Sequence, residues 1–389
     1  MKITTTCCLG LLMMVGAMTP AQQVVPSSNP PCGGVSATAY VNWPQFHSDP
    51  CHTGYNPNEF ILSLATVGNL VVDWQYLTGS LIHHSSPAVA NGVVYVGSLD
   101  DNVYALNGST GALLWNYTTG SQVYSSPAVA NGVVYLGSTD SNLYALNAAT
   151  GALLWKYATR DAVFSSPAVA NGAFYVGSDD SNLYALNAST GALLWKYTTG
   201  SLVRSSPAVA NGVVYVGSDN LYAVNAGTGA LLWRYMTGAY FNSSPAVANG
   251  VVYVGNGNNL YALNASTGAL LWQYTTGNYV NSSPAVTNGA VYVGSNDGNL
   301  YALDASTGAL LWQYTTADAI FSSPAVANGV VYVGSFDANV YALNASTGAF
   351  LWKYTTGNHV ESSPAVANGL AYVGSWDGNL YAFHLPDLH

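Results

Sequence analysis

One position of a repeating sequence carries residue types that could bind a ligand. The residue before each Ser-Ser-Pro changes between aromatic, basic, amide and acidic types along the chain. The eight residues are His84, Tyr124, Phe164, Arg204, Asn242, Asn281, Phe321 and Glu361. A purely structural position would repeat one residue type, so we interpret this set as a site for a polar small molecule, a glycan or a peptide. Drift at an exposed loop position is the alternative.

A second set of candidate ligands is an aspartate that recurs in another loop of each repeat. The set comprises Asp100, Asp140, Asp180, Asp297, Asp337 and Asp377. A ring of carboxylates could hold calcium, but Asp also caps tight turns by bonding to its own backbone, and we favour the turn. In the same loop we expect Leu99, Phe336 and Trp376 to be exposed, as contacts for a partner, and we add Trp376 to the predicted site.

No catalytic or metal-binding pattern is visible. The seven His residues are scattered, and His83-His84 is the one adjacent pair. The sequence shows no Gly-rich phosphate loop, zinc pattern or hydrolase elbow, and its serines fall at repeated positions. We therefore expect a protein that is not an enzyme, with no catalytic residue, no metal ligand and no cofactor.

Composition limits the partners and the compartment. A formal charge of −10 with seven Lys plus Arg argues against nucleic acid and against an anionic membrane surface. One long apolar stretch without charge follows Lys2, and we interpret residues 1–21 as a secretory signal cleaved after Ala21, with an anchor helix as the alternative. We expect no transmembrane segment and an extracytoplasmic protein: periplasmic, cell-surface or secreted.

A lead-in segment, residues 22–69, precedes the repeats and is rich in Pro, Ser and Gly. In an oxidising compartment Cys32 and Cys51 would form a disulfide worth about 3 kcal/mol, although two free thiols are the alternative. The sequence leaves open whether this segment fills a central channel or wraps the outside. Glycosylation sequons are present. They lie at Asn107, Asn116, Asn187, Asn242, Asn264, Asn281 and Asn344.

The repeat predicts an all-β, eight-bladed β-propeller over residues 70–384, followed by a tail, 385–389. Ser-Ser-Pro-Ala-Val occurs eight times at spacings of 38 to 40 residues, beginning at Ser85. Each unit holds an Asn-Gly hairpin signal and four short strands, A to D, which is the signature of a propeller blade. Pro87 and its equivalents place strand A innermost, where an edge is free.

Strand D carries a Trp that we expect to pack between blades. These residues are Trp74, Trp115, Trp155, Trp195, Trp233, Trp272, Trp312 and Trp352. The segment around Trp74 is a D strand with no A, B or C before it, whereas the last unit, ending at His384, lacks a D strand. The N-terminal strand should therefore complete the last blade and close the ring.

The spacing of Ala, Thr-Gly and Trp in Ala105–Trp115 and in the other full units resembles the tryptophan-docking repeat of quinoprotein-like (PQQ-repeat) propellers. The segments Trp43–Pro50 and His52–Tyr55 resemble the lead-in of secreted members. The resemblance implies the fold and offers two alternative functions. One is a PQQ-dependent oxidoreductase with calcium, but its adjacent cysteines are matched here only by Cys7-Cys8 in the signal. The other is a scaffold like the propeller lipoprotein of the β-barrel assembly machinery, which needs a lipidated Cys that this chain lacks.

The two loops that vary between repeats, D to A and B to C, should share one face around the channel mouth. The A–B and C–D turns hardly change. We therefore predict an exported binding or scaffold propeller that holds a ligand, or a protein, peptide or glycan partner, on its variable face.

Overall fold

The computed structural model describes residues 40–386, and these form a closed ring of eight four-stranded antiparallel blades. The predicted fold is confirmed. Within the described residues the helical content is a single 3-10 turn, Val67–Asn69, just before the ring. Blades are numbered here from the one that begins at Ala88.

Each blade has the order A, B, C, D from the channel outward. The A strands are Ala88–Ala90, Ala128–Ala130, Ala168–Ala170, Ala208–Ala210, Ala246–Ala248, Ala285–Thr287, Ala325–Ala327 and Ala365–Ala367. The B strands are Val93–Gly97, Val133–Ser138, Ala173–Gly177, Val213–Gly217, Val251–Asn256, Ala290–Gly294, Val330–Gly334 and Leu370–Gly374.

The outer strands are longer and carry the Asn and Trp positions of the repeat. The C strands are Asn102–Asn107, Asn142–Asn147, Asn182–Asn187, Leu221–Asn225, Asn259–Asn264, Asn299–Asp304, Asn339–Asn344 and Asn379–His384. The D strands of blades 1 to 7 are Leu113–Thr118, Leu153–Ala158, Leu193–Thr198, Leu231–Tyr235, Leu270–Thr275, Leu310–Thr315 and Phe350–Thr355. The D strand of blade 8 is Val71–Leu77.

The ring closes as the sequence predicts. Val71–Leu77 pairs antiparallel with Asn379–His384, so the two ends of the repeat region share one blade. The indole Nε1 of Trp352 in blade 7 donates to Leu70 O, 2.8 Å away, just before that N-terminal strand. Closure leaves neither end of the repeat region as an incomplete blade.

The Trp residues tie each blade to the next. Trp155 Nε1, for example, donates to Ala188 O in the C–D turn of the following blade at 2.9 Å. Its ring packs against Gly191, which has a φ of +70° and no room for a side chain, because a Cβ there would lie 2.7 Å from the indole. The repeated Thr-Gly is therefore required both by the turn and by the Trp that covers it.

The two serines of each Ser-Ser-Pro have different roles. The first accepts a hydrogen bond from the Gly near the end of strand B, as Ser205 does from Gly217 N at 3.2 Å. The second belongs to a closed belt, in which its Oγ accepts the backbone N–H of the equivalent serine in the preceding blade. The eight links, 2.9 to 3.0 Å long, join Ser86, Ser126, Ser166, Ser206, Ser244, Ser283, Ser323 and Ser363 and return to Ser86.

Candidate functional site

The lead-in segment fills the channel. Residues 42–56, which we call the plug, run around the free inner edges of the A strands. Main-chain carbonyls of the plug accept the N–H of the central Val in six blades. The pairs are Trp43 with Val89, Pro44 with Val129, Pro50 with Val209, Cys51 with Val247, Thr53 with Val286 and Gly54 with Val326.

Side chains of the plug form hydrogen bonds to the A strands of the other two blades. Gln45 Oε1 accepts from Val169 N at 3.1 Å, and Asn56 Nδ2 donates to Val366 O at 2.7 Å. The plug residues Tyr55–Asn56 also form a short strand parallel to Ala325–Ala327. The inner edges that Pro87 and its equivalents leave unpaired within the sheets are thus occupied by the chain itself.

The plug closes the bottom of a cavity of about 340 Å³ at the channel mouth. Phe46 forms the floor, and the second serines of seven blades line the lower wall. All eight residues predicted from the variable position, His84 through Glu361, line this cavity. The structure therefore brings the predicted residues together, one from each blade, while their role in binding stays a prediction.

One side of the cavity wall is aromatic and cationic. The rings of Tyr124 and Phe164 lie 4.9 Å apart, and the Arg204 guanidinium lies 4.6 Å above Phe164. Arg204 also pairs with Asp179, a residue of the B–C loop that sequence reasoning missed. Arg204 Nε donates to the Asp179 carboxylate at 3.1 Å and Nη2 donates to it at 2.8 Å. This hydrogen bonding raises the pKa of the guanidinium above its ordinary value.

The opposite side carries amides and a carboxyl group. Asn242 Nδ2 donates to Asn281 Oδ1 at 3.4 Å, next to Phe321 along the ring. Glu361 follows, with its side chain 6% exposed, and burial raises its pKa to about 8. The mouth therefore offers stacking faces, amide groups and a buried acid within one small space.

His83, which sequence reasoning also missed, joins His84 beside Glu361. Burial lowers the pKa of His83 to about 4. It lowers that of His84 to about 3, helped by the charges of His83 and Arg204, although half of the His84 side chain is reached by water at the cavity rim. The surroundings thus favour the neutral form of both imidazoles at neutral pH.

The B–C loop residues differ from the expectation of exposure. Leu99, Phe336 and Trp376 are half-buried. Trp376 stacks on His83 with 4.3 Å between ring centroids, and Phe336 stacks on Phe321 at 4.5 Å. Trp376 and Phe336 therefore pack on residues of the D–A loops. The B–C loop also bonds to the neighbouring D–A loop through its backbone, as Leu99 N does to Leu81 O.

The aspartates of the B–C loop act as turn caps. Asp140 is representative: its Oδ1 accepts from Asn142 N at 3.0 Å, and its Oδ2 accepts from Gly120 N and from the Tyr144 hydroxyl. The carboxylates of Asp100, Asp180, Asp297, Asp337 and Asp377 make the same kind of contacts. One carboxylate oxygen therefore bonds within the turn, and the other bonds to strand C and, as in Asp140, to the adjacent D–A loop, which fits the turn interpretation.

Several asparagines of the sequons also stabilise turns. Asn107 Oδ1 accepts from Ser109 N and Thr110 N, which caps the C–D turn. Asn187, Asn264 and Asn344 cap their turns in the same way. Glycosylation stays a prediction.

Two predictions fall on residues outside the described ranges. The signal peptide, residues 1–21, is one, and Cys32 is the other, so its pairing with the buried Cys51 of the plug stays a prediction. Between residues 40 and 386 no helix is long and apolar enough to cross a membrane.

Comparisons with known proteins fit the geometry. A family model described as "Outer membrane protein assembly factor BamB" matches residues 65–166, 161–238, 217–322 and 316–387. No curated protein matches the chain in sequence.

Three solved structures share the fold at low identity. A europium-containing methanol dehydrogenase is 16% identical, with a TM-score of 0.79 over 88% of this chain and 98% of its own. BamB from Moraxella catarrhalis is 20% identical, with a TM-score of 0.71 over 81% of this chain and 99% of its own. A computationally designed protein, Ika8, is also 20% identical, with a TM-score of 0.71 over 80% of this chain and 100% of its own. An enzyme, an assembly factor and a designed protein share this scaffold, so the likeness shows the fold alone.

Proposed function

The chain belongs to the PQQ-repeat propeller family whose model is described as outer membrane protein assembly factor BamB, and within that family we propose that it is an exported, non-enzymatic binding propeller. The ligand we propose is the terminal unit of a glycan, held in the mouth cavity. The observation that carries this proposal is the convergence of all eight variable residues on one cavity that the plug closes from below.

The shape of the cavity supports a compact ligand. Its volume of about 340 Å³ lies at the lower end of the range for ligand pockets, about 300–1,000 Å³. Because Phe46 and the plug block the channel, a polymer cannot thread through, and only an end group can enter. A chain terminus or a free small molecule fits this geometry.

The wall supports a sugar-like chemistry. A pyranose has an apolar face, which would stack on Tyr124, Phe164 or Phe321, and hydroxyl groups, which would bond to the amides of Asn242 and Asn281. Hydroxyl groups also suit a buried acid such as Glu361. The lining combines four Phe and Tyr rings with seven serines, two amides, an arginine and a carboxyl group, and such a mixture of stacking faces and hydrogen-bonding groups suits a sugar.

The binding test uses mature protein and a panel of neutral, acidic and amino sugars, followed by calorimetry on any sugar that raises the melting temperature. Tyr124→Ala and Asn281→Ala should abolish binding, whereas Tyr279→Ala should not, because Tyr279 is an aromatic residue of the same face that is 57% exposed and outside the cavity. Arg204→Ala is unsuitable, because it would leave the buried Asp179 without its partner. Equal affinity in all three variants would refute the site.

The residues do not fit the alternative of a PQQ cofactor with calcium. PQQ carries three carboxylates, and the one Arg or Lys that lines the cavity, Arg204, has two of its nitrogens bound to Asp179. The lining offers one carboxyl group, that of Glu361, whereas calcium takes six to eight oxygen ligands. Alcohol-dependent dye reduction after addition of the quinone and calcium would overturn the non-enzymatic assignment.

A docking scaffold for envelope assembly is the second candidate, and one observation favours it besides the family description. The D strands of blades 1 to 7 begin with two apolar residues, most of them about half exposed, such as Leu114 at 50% and Leu194 at 52%. These form an apolar belt on the outer rim, away from the cavity. Photo-crosslinking from Leu114 and Leu194 to β-barrel assembly components in the native host would support this role, and crosslinks confined to the mouth would argue against it.

A further inference from the structure

Three side chains with metal-binding atoms meet at one edge of the cavity. His83 Nδ1 lies 3.1 Å from Glu361 Oε2, and His84 Nδ1 lies 3.1 Å from Glu361 Oε1. The ligand atoms of the three residues all lie within 4.8 Å of one another. Among residues 40–386 this is the one group of three or more His, Cys, Asp or Glu side chains assembled in this way.

Both histidines make close ion-pair contacts with Glu361, but these contacts lack the alignment of a hydrogen bond. His83 Nδ1 and Glu361 Oε2 are both buried, and neither is aligned with a hydrogen-bond partner despite their separation of 3.1 Å. The Glu361 side chain is 6% exposed. Trp376 Nε1 is buried without an aligned partner as well. Buried polar atoms are nearly always satisfied, and an added ion that binds the imidazoles and the carboxylate would satisfy His83 and Glu361.

The chain departs from its own repeat at this point. Eleven positions separate Trp74 from Ser85, whereas Trp115 and Ser125, like every later pair, are ten apart. The extra residue gives the first D–A loop two adjacent histidines where the second loop has Tyr124 alone. Glu361 is the one acidic residue of the variable position, and Trp376, which stacks on His83, is the one Trp of the B–C loops.

We propose that His83, His84 and Glu361 bind one divalent transition-metal ion, with zinc as the best match. Two imidazole nitrogens and a carboxylate oxygen are a common ligand set of zinc sites that keep a fourth position open. Ligand atoms about 2.0–2.1 Å from a tetrahedral ion lie about 3.3 Å from each other. The two imidazole nitrogens lie 3.1 Å from different oxygens of Glu361, and the ligand atoms of the three residues lie within 4.8 Å of one another, so small side-chain shifts would bring them around one ion.

The surrounding residues determine which way the open coordination position of the ion would face. Stacking on Trp376 holds the His83 ring, and His84 and Glu361 line the cavity, so the open position would face the proposed ligand site. There the ion would accept a hydroxyl or carboxylate oxygen. The metal site does not depend on glycan binding, since all three ligands belong to the protein. Calcium is disfavoured because it takes six to eight oxygen ligands.

The test uses the full mature protein stripped with a chelator and titrated with zinc by calorimetry. We expect saturable binding of one ion per chain and no comparable binding of calcium. Glu361→Gln and His83→Gln should each lower zinc affinity by at least about 10–100-fold, the loss that even an outer-shell change at a metal site causes. His359→Gln is the matched control, because His359 belongs to the neighbouring D–A loop and packs on Trp376 but lies outside the cluster.

Three outcomes would overturn the proposal: no saturable zinc binding, equal affinity in Glu361→Gln, or a loss in His359→Gln as large as in the ligand variants. If Glu361→Gln fails to fold, the absorption spectrum of cobalt bound to the unaltered protein replaces that variant as the test. Intense tetrahedral absorption bands support the site, and the weak spectrum of the octahedral aqua ion overturns it. Sugar binding is measured separately with zinc and with chelator, so failure of the glycan proposal and failure of the metal site are distinguishable.

Discussion

Replacing Gln45 by Met tests whether the plug stabilises the ring by completing the A strands. Of the seven Val N–H groups that the plug accepts, six are bonded to main-chain carbonyls, and only that of Val169 depends on a side chain. Gln45 is 5% exposed, so an apolar residue of similar length would exclude water and leave the Val169 N–H unpaired. Such a loss costs about 1–3 kcal/mol.

The expected change in melting temperature is small but measurable. With about 2.1 cal/mol/K of unfolding entropy per residue, a propeller of about 350 residues loses about 1–4 °C for that free energy. Amide hydrogen exchange gives the sharper assay: exchange at Val169 should accelerate, while Val129 and Val209, which bond to Pro44 and Pro50, keep their protection. Gln122→Met is the control, because Gln122 is exposed on a D–A loop and its loss should change stability by less than about 0.5 kcal/mol. Unchanged exchange at Val169 would refute the role of the plug.

Three further predictions concern the plug, the belt and the closure. Burial, and then the charge of His47, lowers the pKa of His52 to about 3. Because the folded state resists protonation of this imidazole, its contribution to the free energy of unfolding should be fully present above pH 6.5 and should be lost as the pH falls towards 3. In urea titrations, His52→Gln should reduce that decline. Ser206→Ala should cost about 1–3 kcal/mol in urea unfolding, because the buried N–H of Ser166 loses its acceptor. Trp352→Phe should lower the melting temperature more than Trp155→Phe, since Trp352 is the more buried and its bond to Leu70 closes the ring; equal losses would contradict that reasoning.

The scaffold was predictable because the residues that fix its turns and its packing recur in all eight units. Asn91 and Gly92 have φ values of 52° and 77°, as the Asn-Gly hairpin requires, and Trp155 docks where its spacing from Thr-Gly places it. The closure also follows from the sequence, because a lone D strand before Ser85 and a missing D strand after His384 can satisfy each other. Repetition turned a weak signal for each short strand into a strong one.

The position of the plug could not be predicted in the same way. Residues 42–56 occur once and have no internal copy for comparison, and their contacts are mainly backbone carbonyls, which carry no residue signature. Gln45 and Asn56, the two that use side chains, are ordinary polar residues in a loop-like sequence. Phe46 therefore became the floor of the predicted site without any signal that pointed there.

The histidine cluster was missed for a geometric reason. Spacings counted from Ser85 onward do not include the extra residue, because it lies ahead of that serine. Glu361 is 277 residues beyond His84 in sequence, yet blades 8 and 1 are neighbours once the ring closes. Comparing adjacent blades as a circle, with the last followed by the first, would have paired them. In a closed propeller, the joint between first and last blades is where sequence-distant residues meet, and here it also carries the D–A loop that is one residue longer than the others. A site that depends on that joint should lose metal affinity when closure is weakened, so Trp352→Phe, far from the cavity, should reduce zinc binding more than Trp155→Phe does.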